Sequence, residues 1–366
     1  MAAASAGRVG LQQRVLPTYR AAFFEMLGNA CPGGLSVFAG QPRPSEAIET
    51  TETLPGVDLV RAGNLHLLRG AAYLCLQRGL LAWLDRRSPQ VLIMEANPRY
   101  LSSPAAVRWM HARGRPVIGW GLGAPPAGGL TGGLRIMFRR RFVAQFDAMI
   151  TYSEQGAEEY IGLGSPPGRT FIAANAVAAR PGPQLERASP TGRPGRILFV
   201  GRLQARKRVD LLLEAAAKLE PRPELMIVGD GPERQRLQAL AANVFPPAQF
   251  AGAQFGEALQ SHFAWADLFV LPGTGGLAVQ QAMASGLPVV VARGDGTQRD
   301  LVSGDNGWLI TPDDLRALTA SLREAFSDPE RLVAMGRRSH QLAAERFNIE
   351  SMTAVFLRAI ESVAGG

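Results

Sequence analysis

The chain is poor in the residues that support redox, thiolate and lysine chemistry: it has two cysteines, four histidines and, beside 37 arginines, only Lys207 and Lys218. Cys31 and Cys75 have apolar neighbours and no metal-ligand spacing. That excludes a disulfide framework and predicts two buried thiols in a reduced, cytoplasmic compartment with no metal site. Long apolar runs are missing too. The longest uncharged window, Pro116–Leu134, is broken by Gly119, Gly121, Gly123, Gly128, Gly129, Gly132, Gly133, Pro125 and Pro126, so no membrane-spanning helix is expected. The start, Met1–Arg8, lacks the charged and apolar succession of a signal peptide.

What remains is ordinary globular composition. With 366 residues, 46% hydrophobic and 19% charged, and a mean hydropathy of +0.01, the chain is long enough for two domains that each bury a core. The net charge of +8 is uneven: residues 1–185 carry 19 arginines against 11 acids, and residues 186–366 carry 20 basic against 20 acidic residues. An anionic partner is therefore expected to meet the N-terminal half.

Short β-branched or apolar runs alternate with helix-length segments, the pattern of parallel sheets covered by helices. Strands are expected at 35–39, 57–60, 91–95, 116–120, 148–152 and 171–174, then at 196–200, 224–228, 268–271, 287–292 and 308–310. Helical periodicity is read in 67–84, 209–219, 234–242, 277–285, 315–325 and 331–346. The Pro/Gly-rich stretch around 186–195 reads as a linker. It separates an N-terminal α/β domain (1–185) from a C-terminal one (196–349), with a last helix (350–366) that belongs to the second or crosses back to the first.

Two loops have the chemistry to hold a phosphate. After the strand 196–200 come Gly201, Arg202, Arg206, Lys207 and Arg208, and then an amphipathic helix. Cations are unfavourable at the positive end of a helix dipole unless an anion lies between them, so Arg202 and Lys207 read as phosphate ligands. The alternative is a solvated loop whose charges touch nothing. After the strand 268–271 come Gly273, Thr274, Gly275 and Gly276, and a helix beginning at Leu277. Glycines let backbone approach a ligand, and Thr274 is placed to cap. This loop also spells a dinucleotide fingerprint, Gly273-x-Gly275-x-x-Ala278 with Asp295 further on, so a nicotinamide-binding enzyme is the competing reading. A third loop, Gly229-Asp230-Gly231-Pro232-Glu233, has good helix-start chemistry with no ligand.

In order along the chain, Thr151-Tyr-Ser153, Ala174-Asn175-Ala-Val177, Val200-Gly201-Arg202 through Lys207, Val228-Gly229-Asp-Gly-Pro232, Ala282-Met283-Ala-Ser-Gly286-Leu-Pro288 and Asn306-Gly307-Trp308 resemble the retaining glycosyltransferases of the GT-B fold, in particular the large family 4. The resemblance implies two Rossmann-like α/β domains facing across a cleft. The second binds a nucleotide-sugar donor through Gly201, Gly229, Gly231, Gly273, Thr274, Gly275, Gly276, Leu277 and Gln281, and the first binds a glycan, lipid-linked or small-molecule acceptor. It further implies metal-independent transfer without a cofactor, with Arg202 and Lys207 stabilising the departing diphosphate. A relative that binds nucleotide without transfer is a further alternative.

The chain departs from the family pattern in two places. Gly273 and Gln281 stand where the family has two glutamates with seven residues between them; Gln281 still accepts a hydrogen bond but loses a charge-assisted part of about 1 kcal/mol. The family's first-domain histidine has no counterpart in Gly119-Trp120-Gly121, and His66, His111, His262 and His340 are all read in helical segments. Acceptor candidates are Gln13, Arg14, Arg20, Asn97, Arg99 and Trp120, expected on one sheet edge. The segment 134–146 interleaves apolar residues with Arg139, Arg140 and Arg141. It reads either as a helix lying on an anionic membrane or as one packed on the sheet with solvated arginines. No aromatic platform or module for nucleic acid accompanies the arginines.

Overall fold

The computed structural model describes residues 7–46, 48–124, 132–184 and 186–364; residues 1–6 and the 125–131 part of the glycine-rich window, on which two of the expectations above partly rest, lie outside them. The chain divides into two compact units, Met1–Val177 with Ile349–Gly366, and Ala178–Asn348.

The first unit is built on eight strands: β1 (Val9–Val15), β2 (Leu35–Gly40), β3 (Asp58–Leu67), β4 (Leu74–Arg78), β5 (Val91–Glu95), β6 (Val117–Gly121), β7 (Ala148–Thr151) and β8 (Thr170–Ile172). Their order is β4-β3-β2-β1-β5-β6-β7-β8, and every neighbour pair is parallel except β3 with β4. Val91, Leu92, Ile93 and Met94 are all buried, as an apolar run covered on both faces requires.

The second unit carries β9 (Arg196–Val200), β10 (Glu224–Val228), β11 (Gln249–Gly252), β12 (Leu268–Leu271), β13 (Val289–Ala292) and β14 (Gly307–Ile310). All its pairs are parallel, in the order β11-β10-β9-β12-β13-β14. In each sheet the winding direction reverses at one point, between β1 and β5 and between β9 and β12. The carboxyl ends of those strands form the crevice where such sheets hold ligands.

Three expectations need correction. The periodic segment 67–84 is not one helix: Gly70 and Gly79, both at positive φ, break it, and β4 turns back antiparallel on β3 before a helix at Leu80–Arg87. His66 consequently lies in β3, its Nδ1 2.8 Å from the Tyr73 hydroxyl. The stretch 186–195 is not a free linker either. Arg187 donates to the carbonyls of Phe263 and Ser285, each at 2.9 Å, and Arg193 grips Asp267 with two bonds of 2.6 and 2.7 Å. Proline and glycine content marks an aperiodic path, but arginines that find buried acceptors anchor it to the second unit. The chain passes from one unit to the other at Val177–Ala178 instead.

The last helix, Ile349–Ala364, packs on the first unit, with Met352, Phe356, Ala359 and Ile360 in the core beside Phe23 and Phe24 of the helix Ala21–Ala30. Cys31 and Cys75 are both free and buried. No helix among the described residues is long and apolar enough to cross a membrane.

Candidate active site

The loops following β9 and β12 flank the reversal point of the second sheet. The loop after β9 is laced to the one after β10 by backbone: Gly201 N–H donates to Val228 O at 3.0 Å and Leu203 N–H to Asp230 O at 2.9 Å. Gly229 is forced by that lacing. Its φ is +138°, and a Cβ there would stand 2.0 Å from the Gly201 carbonyl oxygen. The amides of Gly229 and Gly231 are already engaged, by Gly252 O at 2.7 Å and Asp230 Oδ1 at 2.7 Å. Both residues therefore shape the crevice and do not donate into it.

The short turn Ala205–Lys207 lies directly across Gly273, where a Cβ would be 2.2 Å from the Arg206 carbonyl oxygen. The glutamate of the family pattern has no room at this position, because backbone fills its place. Thr274 N–H donates to Arg206 O at 3.0 Å, Lys207 Nζ donates to Thr274 O at 2.6 Å, and Arg206 Nη1 donates to Thr274 Oγ1 at 3.2 Å. Burial, together with repulsion from Arg206, pushes Lys207 down to about 8. A half-buried ammonium beside a guanidinium is the kind of group whose charge a nearby anion would stabilise.

Thr274 does not cap the following helix, Leu277–Ala284; its hydroxyl is turned to Arg206, and Gly276 stands at the N-cap with no side-chain bond. The first-turn amides of that helix lack intrahelical acceptors and face the crevice with the dipole's positive end. The carbonyls of the loop are held away from them. Thr274 O goes to Lys207, and Gly275 O accepts from Gln298 Nε2 at 3.0 Å. Gln298, 1% exposed, escaped the sequence reading because nothing in its local pattern ties it to a loop 23 residues earlier. Gln281 is half-buried one turn into the helix, and Arg202 is exposed at the mouth of the first loop. Arg208 faces away: it takes the left-handed conformation, φ +53°, and pairs with Asp210 and Asp313. Of the cation run 206–208, then, two members serve the crevice and one does not.

The carboxyl edge of the first sheet is organised differently. Gln13 is 3% exposed, and its carbonyl accepts from the buried Gln77 at 3.0 Å. Trp120 is 2% exposed and packs its ring 4.9 Å from Phe356. Both are core and do not face a ligand, because strand ends buried by the Ala21–Ala30 and Ile349–Ala364 helices turn their side chains inward. Arg14 donates to Glu46 at 2.9 Å, and its backbone N–H donates to Glu95 Oε2 at 2.7 Å. Arg20 stacks 4.8 Å over the Trp120 ring and donates to the Tyr152 hydroxyl at 2.9 Å. Asn97 Oδ1 accepts the Arg99 amide at 3.1 Å, and Arg99 is exposed. Arg14, Arg20, Asn97 and Arg99 remain on the edge, joined by Glu95, whose carboxyl burial pushes up. No group of three or more metal-ligating side chains occurs among the described residues.

Residues 185–342 match the family model of the glycosyl transferases group 1, and residues 32–176 match that of the glycosyl transferase 4-like domain. The two matches fall one on each unit, and the chain belongs to the group 1 glycosyltransferases of the GT-B fold. It is 41% identical over 156 residues to the GDP-mannose-dependent alpha-mannosyltransferase of Mycolicibacterium smegmatis, covering 41% of this chain and 40% of that protein. It is 27% identical over 260 residues to the D-inositol 3-phosphate glycosyltransferase of Geodermatophilus obscurus, covering 63% of this chain and 56% of that one. These matches span less than two thirds of the relatives' own length. The crystal structure of HepE from Anabaena in complex with UDP has the same fold, with a TM-score of 0.71 at 17% identity over 97% of this chain and all of that one. Family membership displaces the dinucleotide alternative. Asp295, the acid that reading required, instead accepts from Thr297 N–H at 3.2 Å and Thr297 Oγ1 at 2.6 Å.

Proposed function

We propose that this chain transfers a sugar from a nucleoside-diphosphate donor, bound at the β9–β12 crevice, to an acceptor engaged by the first unit, with retention of configuration and without a metal. The observation that carries this reading is the pairing of Lys207 Nζ with the Thr274 carbonyl at the mouth of the Leu277–Ala284 helix. The second unit thereby brings the Lys207 ammonium to a helix N-terminus, with Arg202 on the same loop, the kind of arrangement that stabilises a departing diphosphate. The donor nucleotides named for the related proteins, GDP-mannose and UDP, belong to that chemistry.

Uridine or guanosine diphosphate is expected to raise the unfolding temperature, and Arg202→Ala is expected to abolish the rise. Protection by NAD and by neither diphosphate would overturn the reading. Nucleotide binding without transfer to any lipid or glycan acceptor, followed by mass spectrometry, would reduce the chain to a binding relative.

The helix Gly132–Val143 supports a place for the acceptor. Leu134 and Phe138 are 60% and 65% exposed, Met137 is 43% exposed, and Arg140 and Arg141 stand exposed beside them. Apolar side chains facing solvent among arginines suit an anionic lipid surface better than a helix packed on the sheet. Cosedimentation with vesicles containing phosphatidylglycerol is expected, and it is expected to weaken when Arg139, Arg140 and Arg141 are changed to Gln. No sedimentation of the unmodified protein would end this part of the reading.

A further inference from the structure

We infer that the donor carries an acidic group on its sugar, a carboxylate or sulfonate, recognised by Arg206. The inference rests on the donor-site reading above and adds the substrate class. Arg206 Nε donates to Gln204 Oε1 at 2.9 Å and its Nη1 to Thr274 Oγ1 at 3.2 Å. Both partners are neutral oxygens, so the guanidinium is fixed in direction while its charge is left whole.

Three neighbouring arginines of these loops are paired with carboxylates, Arg208 with Asp210, Arg234 with Asp230 and Arg236 with Glu233. Among the described residues no carboxylate lies within ion-pair distance of Arg206 or Lys207. The one charged neighbour that acts on Lys207 is Arg206 itself, which repels it. A second cation placed against a half-buried first one repels it, and a ligand that brings negative charge for both relieves that repulsion.

A donor diphosphate supplies charge for Lys207, Arg202 and the helix N-terminus. Arg206 stands off that point. The Lys207 ammonium lies under Gly275, where a Cβ would be 2.3 Å from Nζ, whereas the Arg206 guanidinium reaches the Thr274 side chain, one residue before the helix turn. Its Nη2 and second Nη1 hydrogen are not taken by Gln204 or Thr274, and their parallel geometry suits a two-oxygen acid. The turn that carries Arg206 fills the space above Gly273, so no acidic side chain can occupy position 273 to repel such a group.

The test compares matched donors by titration calorimetry: uridine diphosphate glucose against uridine diphosphate glucuronate, and guanosine diphosphate mannose against guanosine diphosphate mannuronate. In the pair carrying the accepted base, the acidic sugar is expected to bind about tenfold more tightly, as one charge-assisted pair provides. In Arg206→Gln that ratio is expected to fall to about one, with the ligand-free unfolding temperature recorded to confirm folding. Because the readout is a ratio within one variant, a general loss of affinity does not mimic it. Equal binding of acidic and neutral sugars by the unmodified protein, or a preference that survives in Arg206→Gln, overturns the inference and leaves the donor site standing. Failure of every nucleotide, the bare diphosphates included, removes the donor site and the inference with it.

Discussion

The two sheets reverse direction in the same way, yet the crevices at their reversal points treat positive charge in opposite ways. In the first, Arg14 is paired with Glu46, Arg20 is sandwiched against the Trp120 and Tyr152 rings, and Glu95 lies close by. In the second, Lys207 and Arg206 are tethered to neutral oxygens, with no carboxylate at ion-pair distance among the described residues. The difference teaches that total charge is a poor guide to where an anion goes. The whole net excess of basic residues lies in 1–185, but the uncompensated pair lies in the electrically balanced half. Compensation is decided side chain by side chain, at distances of a few ångströms.

The comparison can be broken most forcefully in the first crevice. Phe356→Ala is expected to destabilise the first unit by about 3–5 kcal/mol, because that fully buried ring meets Phe23 at 5.0 Å and Trp120 at 4.9 Å. Denaturant unfolding measures it, and a change below about 1 kcal/mol would show that the C-terminal helix is not part of that core. In the second crevice Lys207→Ala is expected to lower kcat by about two to three powers of ten, the cost of removing one preorganised charge donor, while the unfolding midpoint stays or rises. Equal losses of activity and stability would make Lys207 structural.

Acidity sharpens the contrast. Lys207 sits at about 8 in place of its ordinary 10.5. The folded chain therefore holds fewer protons than the unfolded one between those values, and this group adds stability as the pH rises from 8 to 10.5. Nucleoside diphosphate affinity is expected to run the other way, falling by up to about tenfold per pH unit above 8, with proton uptake on binding. Calorimetry in buffers of different ionisation heats detects that uptake, and its absence at pH 9 would place the phosphate elsewhere. The smallest effect belongs to Glu46. Burial alone would raise its carboxyl, but Arg14 and Arg43 hold it at about 2, below the ordinary 4.5. The stability it lends is present above 4.5 and is lost as the pH falls through 2, so Glu46→Gln is expected to flatten the acid limb of the stability curve.

Much of the fold was legible because parallel strands buried on both faces announce themselves locally: β5, β9, β10 and β12 were read to the residue. What was missed has a physical cause in each case. β1 is buried but carries Gly10, Gln12, Gln13 and Arg14 in place of an apolar run, β4 is a half-exposed hairpin strand whose apolar spacing also fits a helix, and β11 is a four-residue edge strand without a buried face. In the candidate site the glycines and Lys207 were visible, since loops that approach a ligand need special residues. Arg206 could not be told from Arg208, because they are two residues apart with the same chemistry, and only the left-handed backbone at Arg208 sends it to Asp210 and Asp313.

The sequence by itself determined the two α/β units, the loops that end β9 and β12, and the family, because periodicity, turn residues and ordered motifs are local properties of the chain. Tertiary structure decided that Gln13 and Trp120 are core, that the path between units runs at Val177–Ala178, that Gln298 holds the Gly275 carbonyl, and which cations keep their charge. Gln298, Lys207 and Trp120 depend on partners 23, 67 and 236 residues away, brought together only when the sheets close their cores.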